Sequence, residues 1–252
     1  MGRRRGFSLL ELLLVIAIIG VLIAIISPSL EKATERSRVA ACSSNLHQIA
    51  IGFNTYASEF NSRIPVGPGS ASSLDAARPW NTIGSHQLWI GSLASYDGMG
   101  GLVPGGWITD VRVFICPSDD DRGLKNNIKG MIGGTGDAWG SYAYRQMDQR
   151  SGGLLTTPGT NGVGNAARAL VLDWQSAGPA PYAHGSHDTS EYLNVLYADG
   201  HIQYFPNDDR DFGGRDKDYG AMPGSYLKRL DQVWVNADWA ETQSVDSAPK
   251  LP

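Results

Sequence analysis

From Phe7 to Ile26 the chain reads FSLLELLLVIAIIGVLIAII, an apolar run whose polar interruptions are Ser8 and Glu11. As a helix this run is about 30 Å long at 1.5 Å per residue, the thickness of a bilayer's hydrocarbon core. Arg3, Arg4 and Arg5 precede it, so the positive-inside rule holds Met1 in the cytoplasm and sends the rest across. An ordinary secretory signal fits poorly: its cleavage site follows the apolar core, and no small-x-small site stands out after Ile26 before the helix continues. Glu11 is the anomaly. A carboxylate near the apolar interior costs roughly 2.5–3.5 kcal/mol on insertion scales, which argues that it has a use.

The residues around Glu11 supply one. Arg-Gly-Phe-Ser-Leu-Leu-Glu, residues 5–11, resembles the processing site of type IV prepilins and type II secretion pseudopilins. Counted from Phe7, the glutamate stands fifth and Pro28 twenty-second, both recurrent positions in that family. The resemblance implies that a prepilin peptidase cuts after Gly6 and methylates the new amine of Phe7. Glycine before the cut lets the extended backbone enter a narrow protease site. The amine stays cationic, and a charge in an apolar setting needs a partner. Glu11 can provide it for Phe7 of a neighbouring subunit, setting the register in which helices stack. Pro28 removes a helix hydrogen bond and would kink the rod where it leaves the membrane.

Beyond Pro28 the helical pattern persists. Val39, Cys42, Leu46, Ile49, Phe53, Tyr56 and Phe60 are spaced alternately by three and four, which predicts an apolar stripe along one face. Charge is sparse after Arg38, so the stripe is read as packing on the chain's own head rather than as a coiled-coil seam. Asn61, Ser62 and Pro65 end the helix. The expected organisation is a leader over 1–6, a helix over 7–61 (7–26 transmembrane, 28–61 amphipathic) and a head over 62–252. The head would lie in the periplasm or outside the cell, on a single-pass inner-membrane protein.

In the head, Gln87–Tyr96 is read as a short helix, and Val111–Cys116, Ser141–Arg145 and Arg168–Trp174 as strands. Tyr192–Phe205 is the clearest β element: two apolar-rich arms flank Asp199-Gly200, a pair that favours a type I′ hairpin turn. Ser225–Val235 has helical spacing, and the tail from Thr242 is expected to lack fixed structure. The fold class is α+β, with an antiparallel sheet laid across the second half of the long helix as in a pseudopilin-like head. A second resemblance covers most of the chain. The segments CSSNLHQI from Cys42, FICPSD from Phe114, SYAY from Ser141 and NVLYADGH from Asn194 occur in the order seen in prepilin-like proteins named for a C-terminal His, nine residues, then Asp-Gly. Here eleven residues, not nine, stand between His187 and Asp199, a departure that removes the family's spacing.

Cys42 lies on the stripe and Cys116 ends an apolar segment expected to cross it. The two are read either as a disulfide, which an oxidising compartment permits, or as two unlinked cysteines. His184, His187, Asp188, Asp199 and His201 invite a metal or catalytic reading, yet a turn and a Gly-Ser loop account for them without either. Two acidic runs, Asp119–Asp121 and Asp208, Asp209, Asp211, Asp216 and Asp218, are read either as solvated loop charge, the favoured reading, or as a site for Ca²⁺, a hard cation satisfied by clustered oxygens; neither has EF-hand spacing. Of seven tryptophans, Trp80, Trp107 and Trp239 stand in loop-like contexts and are expected at the surface. The net charge of −4 gives no reason to expect nucleic-acid binding, and no catalytic motif is present. Two readings follow. The first is a non-enzymatic pseudopilin-like subunit of a type II secretion or type IV pilus-like filament, partnered by prepilin peptidase and other pilin or pseudopilin subunits. The second is a membrane-tethered binding module that uses the same signal without polymerising.

Overall fold

The structure, a computed structural model, describes residues 9–65, 87–117, 128, 130, 132–145, 154–173, 175–176, 192–206, 213–214 and 223–250. Helix α1 (Leu9–Glu59) contains Pro28 within its length and is not interrupted there. It ends where the sequence places its stop: Asn61 and Ser62 take left-handed φ values of 54° and 62°. The Phe60 N–H donates to Tyr56 O at 3.0 Å and the Ser62 N–H to Ala57 O at 2.7 Å, so these two carbonyls of the last turn are satisfied as the chain reverses.

The central sheet has four antiparallel strands in the order β4 (Tyr142–Tyr144), β5 (Ala169–Asp173), β7 (Tyr192–Tyr197), β8 (Ile202–Pro206). Alternation along the strands sorts their side chains onto two faces. Tyr142, Tyr144, Leu170 and Leu196 join the core built on α1, with Leu46, Ile49 and Phe53. Ala143, Leu172, Leu193, Val195 and Tyr197 join a second core. Helix α2 (Pro223–Ala240) covers that face with Val233, Trp234 and Ala237. The architecture is helix, sheet, helix: an α+β fold in which the second half of α1 lies on an antiparallel sheet. The predicted stripe is buried from Val39 to Phe53, half-buried at Tyr56 and 42 % exposed at Phe60.

Smaller elements flank the sheet. Strand β1 (Gln87–Ile90) pairs with β2 (Ser95–Tyr96) and β3 (Ala138–Trp139), and β6 (Gln175–Ser176) pairs in parallel with β9 (Gly213–Gly214). The expected helix over 87–96 is therefore a hairpin. Ala94 stands at φ 48°, a left-handed residue that a continuous helix cannot pass. Gly100, in the 3₁₀ turn Gly98–Leu102, lies so close to β1 that a Cβ would meet Leu88 O at 1.8 Å. The expected strand over 111–116 is also different: Val111–Phe114 is a 3₁₀ turn, started by Asp110, whose carboxylate accepts from the Arg112 N–H at 3.0 Å. That turn puts both Val111 and Phe114 into the α1 core, which an alternating strand could not do with residues three apart.

The β7–β8 hairpin is present, but its turn is not type I′. Gly200 has φ 90° while Asp199 is not in the left-handed region. Gly200 N–H donates to Tyr197 O and Tyr197 N–H to His201 O, both at 2.9 Å, the pattern of a three-residue loop closed by a glycine bulge. The tail also departs from expectation. Ala248 is buried, Pro249 O accepts from Gln232 Nε2 at 2.8 Å, and Trp239 Nε1 donates to Ser247 Oγ at 3.0 Å. These bonds hold residues 245–249 against α2, an anchoring that composition does not reveal.

A buried carboxylate joins α2 to the sheet. Asp238 accepts from Arg145 Nη1 at 2.8 and 2.9 Å, from Asn161 Nδ2 at 2.9 Å, and from the backbone N–H groups of Arg168 and Ala169 at 2.7 and 2.9 Å. Arg145 is fully buried, and its Cζ sits 5.1 Å from the centroid of the Trp234 ring. The ring's π face partly replaces the hydrogen bonds that Arg145 Nε and Nη2 do not make among the described residues. Breaking a buried ion pair by removing one partner typically costs about 3–5 kcal/mol, since the other charge is stranded. Asp238→Leu is thus expected to destabilise the head by about 3–5 kcal/mol in urea unfolding followed by tryptophan fluorescence. A loss under about 1 kcal/mol would show that this network contributes little.

Candidate functional site: the N-terminal rod and its joint with the head

The rod is built from one helix in two environments. Within Leu9–Leu30 an 18-residue stretch reaches a mean hydropathy of 3.2, and none of it is buried by the head. From Leu9 to Ile26 every residue is exposed, including Leu9 at 88 % and Ile25 at 68 %. Water does not tolerate such a surface; a bilayer or a sheath of like helices does. Glu11 is exposed on the first turns of this helix. Ser29 and Thr34, beside Pro28, return their hydroxyls to Ile26 O at 2.7 Å and Leu30 O at 2.8 Å, so neither adds a stray donor near the span's end.

The joint begins at Val39. Asn194 of β7 donates through Nδ2 to Val39 O at 3.2 Å, and Asn45 Nδ2 reaches Ile115 O at 3.1 Å. Cys42 and Cys116 form a disulfide with a Cα–Cα separation of 5.3 Å, so α1 is covalently tied to the 3₁₀ segment. Both sulfurs are buried. Asp173 Oδ2 lies 3.7 Å from Cys116 Sγ. With both thiols consumed, that contact is not a hydrogen bond, and the Cys42–Cys116–Asp173 triad has no thiolate to offer a metal. At the far end Tyr56, Phe60 and Trp107 form an aromatic cluster, with ring centroids 4.4 to 5.5 Å apart. Trp107 and Trp239 are half-buried rather than free at the surface.

Among the predicted site residues, Asp199 and His201 are brought together. Asp199 Oδ1 accepts the His201 N–H at 3.1 Å and sits 2.6 Å from His201 Nδ1. Burial alone would raise the Asp199 carboxyl, but those hydrogen bonds outweigh it and hold the carboxyl below its ordinary value. Gly6, Phe7, Trp80, Asp119–Asp121, His184, His187, Asp188 and the run Asp208, Asp209, Asp211, Asp216 and Asp218 lie outside the described residues. Sequence reasoning missed Asp238, Arg168 and Glu241, which act on partners far away in the chain. For Asp238 a signal existed: it stands four residues after Trp234 in a helix whose surroundings are apolar.

Comparison with known families fits this division. Residues 1–27 match the family described as prokaryotic N-terminal methylation motif. Residues 31–170 match the family described as Protein of unknown function (DUF1559). The chain belongs to that family. No curated protein and no solved structure matches it. The family's match covers the buried half of α1, the disulfide and the head as far as β5, while the methylation motif covers most of the exposed half of the helix. That motif implies processing by a prepilin peptidase.

On the chain-entropy account, closing a loop with a sequence separation of 74 stabilises the head by about 4 kcal/mol. The paired change Cys42→Ala and Cys116→Ala is expected to lower unfolding free energy by about that much, less the contribution of relieved strain. Non-reducing peptide mapping of never-reduced protein should return a Cys42–Cys116 cross-linked peptide. Both thiols open to alkylation after unfolding would overturn the bond.

Proposed function

We propose that the chain is a pseudopilin-like structural subunit. It is cut after Gly6, methylated at Phe7, held in the inner membrane by α1 and assembled with like subunits into a type II secretion or type IV pilus-like filament. The observation that carries this reading is a coincidence of position. The methylation motif over 1–27 falls on the part of α1 that no part of the head covers, and the same helix then becomes the spine of the head. A tether needs an apolar span; it needs neither a processing motif nor a glutamate five residues into the mature chain. In a filament the neighbours' helices supply both the apolar cover for Leu9–Leu30 and the cation for Glu11. The role is non-enzymatic, with the head displayed in the periplasm or beyond.

Two measurements test it. Mass spectrometry of membrane-extracted protein should find a chain that begins at Phe7 and carries one additional methyl group. Gly6→Leu should leave an intact leader on an inserted protein; cleavage beyond Ile26 in the unaltered chain would refute the processing step.

Glu11→Leu tests assembly separately. Because leucine removes an insertion cost of roughly 2.5–3.5 kcal/mol, the variant should be processed and inserted at least as well as the parent chain. It should form no filament, since the Phe7 amine has lost its partner. Equal polymer in both proteins on in-membrane crosslinking would remove Glu11 from assembly and leave the chain as a non-polymerising tether.

A further inference from the structure

The loop of the β7–β8 hairpin and the end of α2 meet beside a cavity of about 270 Å³, which Thr156, Pro158, Arg168, Tyr197, Asp199 and Glu241 help to line. Asp199, His201 and Glu241 each turn a donor atom toward this meeting point, and the three donors lie within 4.8 Å of one another. Each is positioned by a different device. Asp199 is fixed by the bulged turn. The His201 ring stacks on Tyr197 with centroids 4.4 Å apart and planes 10° from parallel, and Tyr197 Oη is itself bonded to Ala237 O of α2 at 2.9 Å. Glu241 follows the last residue of α2, and its side chain is only 9 % exposed.

Glu241 is the least satisfied of the three. Its Oε2 is buried and accepts no hydrogen bond from the described residues. Arg168 Nε lies 2.6 Å away, close enough for an ion pair but off the direction in which its N–H could donate. Burial pushes the Glu241 carboxyl up despite that cation and His201. The Arg168 side chain is 52 % exposed, so it can swing into solvent without stranding a charge. Among the described residues, two carboxylates against one mobile cation leave a negative centre, open on one side to a cavity.

We propose that Asp199, His201 and Glu241 bind a divalent ion of the zinc class, which clamps the hairpin to the end of α2. One imidazole with two carboxylates is a donor set for zinc and its neighbours rather than for calcium, which takes oxygens alone. With bonds of about 2.0–2.2 Å, neighbouring donors of a tetrahedral zinc are about 3.4 Å apart, so small side-chain movements within the present spread suffice. The ion would take the Nδ1 lone pair of the neutral His201 tautomer that carries its one ring proton on Nε2, and the 2.6 Å contact with Asp199 Oδ1 opens to a coordination edge. Arg168 is displaced, and the cavity supplies room for water on the remaining position.

The test uses the full-length chain in detergent, stripped with a chelator and titrated with Zn²⁺ against a chromophoric competitor. One equivalent should bind with a Kd of about 10 µM or tighter. His201→Gln and Glu241→Gln should each weaken that binding by about tenfold or more, and added Zn²⁺ should raise the thermal midpoint of the parent chain but of neither variant. Matching near-ultraviolet circular dichroism in chelator establishes that both variants are folded, as expected for an exposed histidine and a terminal glutamate. Binding weaker than that limit, or binding that either variant leaves within tenfold, as an ion held on the other histidines or acidic runs would give, overturns the proposal.

Discussion

Everything in this structure hangs on the seam between α1 and the strand β7. One unbroken helix emerges from an apolar phase and immediately becomes the wall of a folded head, and the seam is where the change occurs. Leu46, Ile49 and Phe53 are almost wholly buried, yet Ile51, on the opposite face, is 65 % exposed. The hydrophobic effect therefore fixes the helix's rotation about its own axis: turning it by two residues, about 200°, would exchange buried and exposed sides. That rotation in turn decides which flank of the apolar end faces the same way as the head, and so how identical rods could lie side by side.

The sheet earns its place between two helices by presenting apolar side chains on both faces, which is unusual for antiparallel strands with one face in water. Covering the second face falls to α2, and Asp238 is the fastening. A carboxylate that accepts two backbone N–H groups at the start of β5 does what another strand would otherwise do for those donors. The same carboxylate neutralises Arg145, so charge balance and backbone satisfaction come from one group.

Long-period features were legible in the sequence and short ones were not. The stripe from Val39 to Phe60 could be read because seven residues repeat the same spacing, and its periodicity has one physical source. The β7–β8 hairpin was legible for a similar reason, an alternating pattern broken by Asp-Gly, though the turn type was not. A two-residue pair leaves Asp199 free to keep an ordinary φ once the glycine bulge takes up the left-handed residue. The segments 87–96 and 111–116 could not be read because their three and five buried residues satisfy strand, helix and 3₁₀ turn alike. At the candidate sites, Phe7, Glu11 and Pro28 stand at fixed intervals that a reader can count. Glu241 meets His201 only because the hairpin and α2 share one end of the sheet, a contact no interval in the chain encodes.

The position of Cys42 has a mechanical corollary. It stands one turn beyond Val39, at the mouth of the seam, on the side from which the exposed end of α1 arrives. A tension applied to that end, as by extraction from a membrane or by its neighbours in an array, reaches the covalent bond before it reaches Leu46, Ile49 or Phe53. The weaker dispersion contacts behind are then shielded from peeling, in which each would fail in turn. Force passes instead through Cys116 into the segment just before the sheet, so the head would move with its rod as a single body.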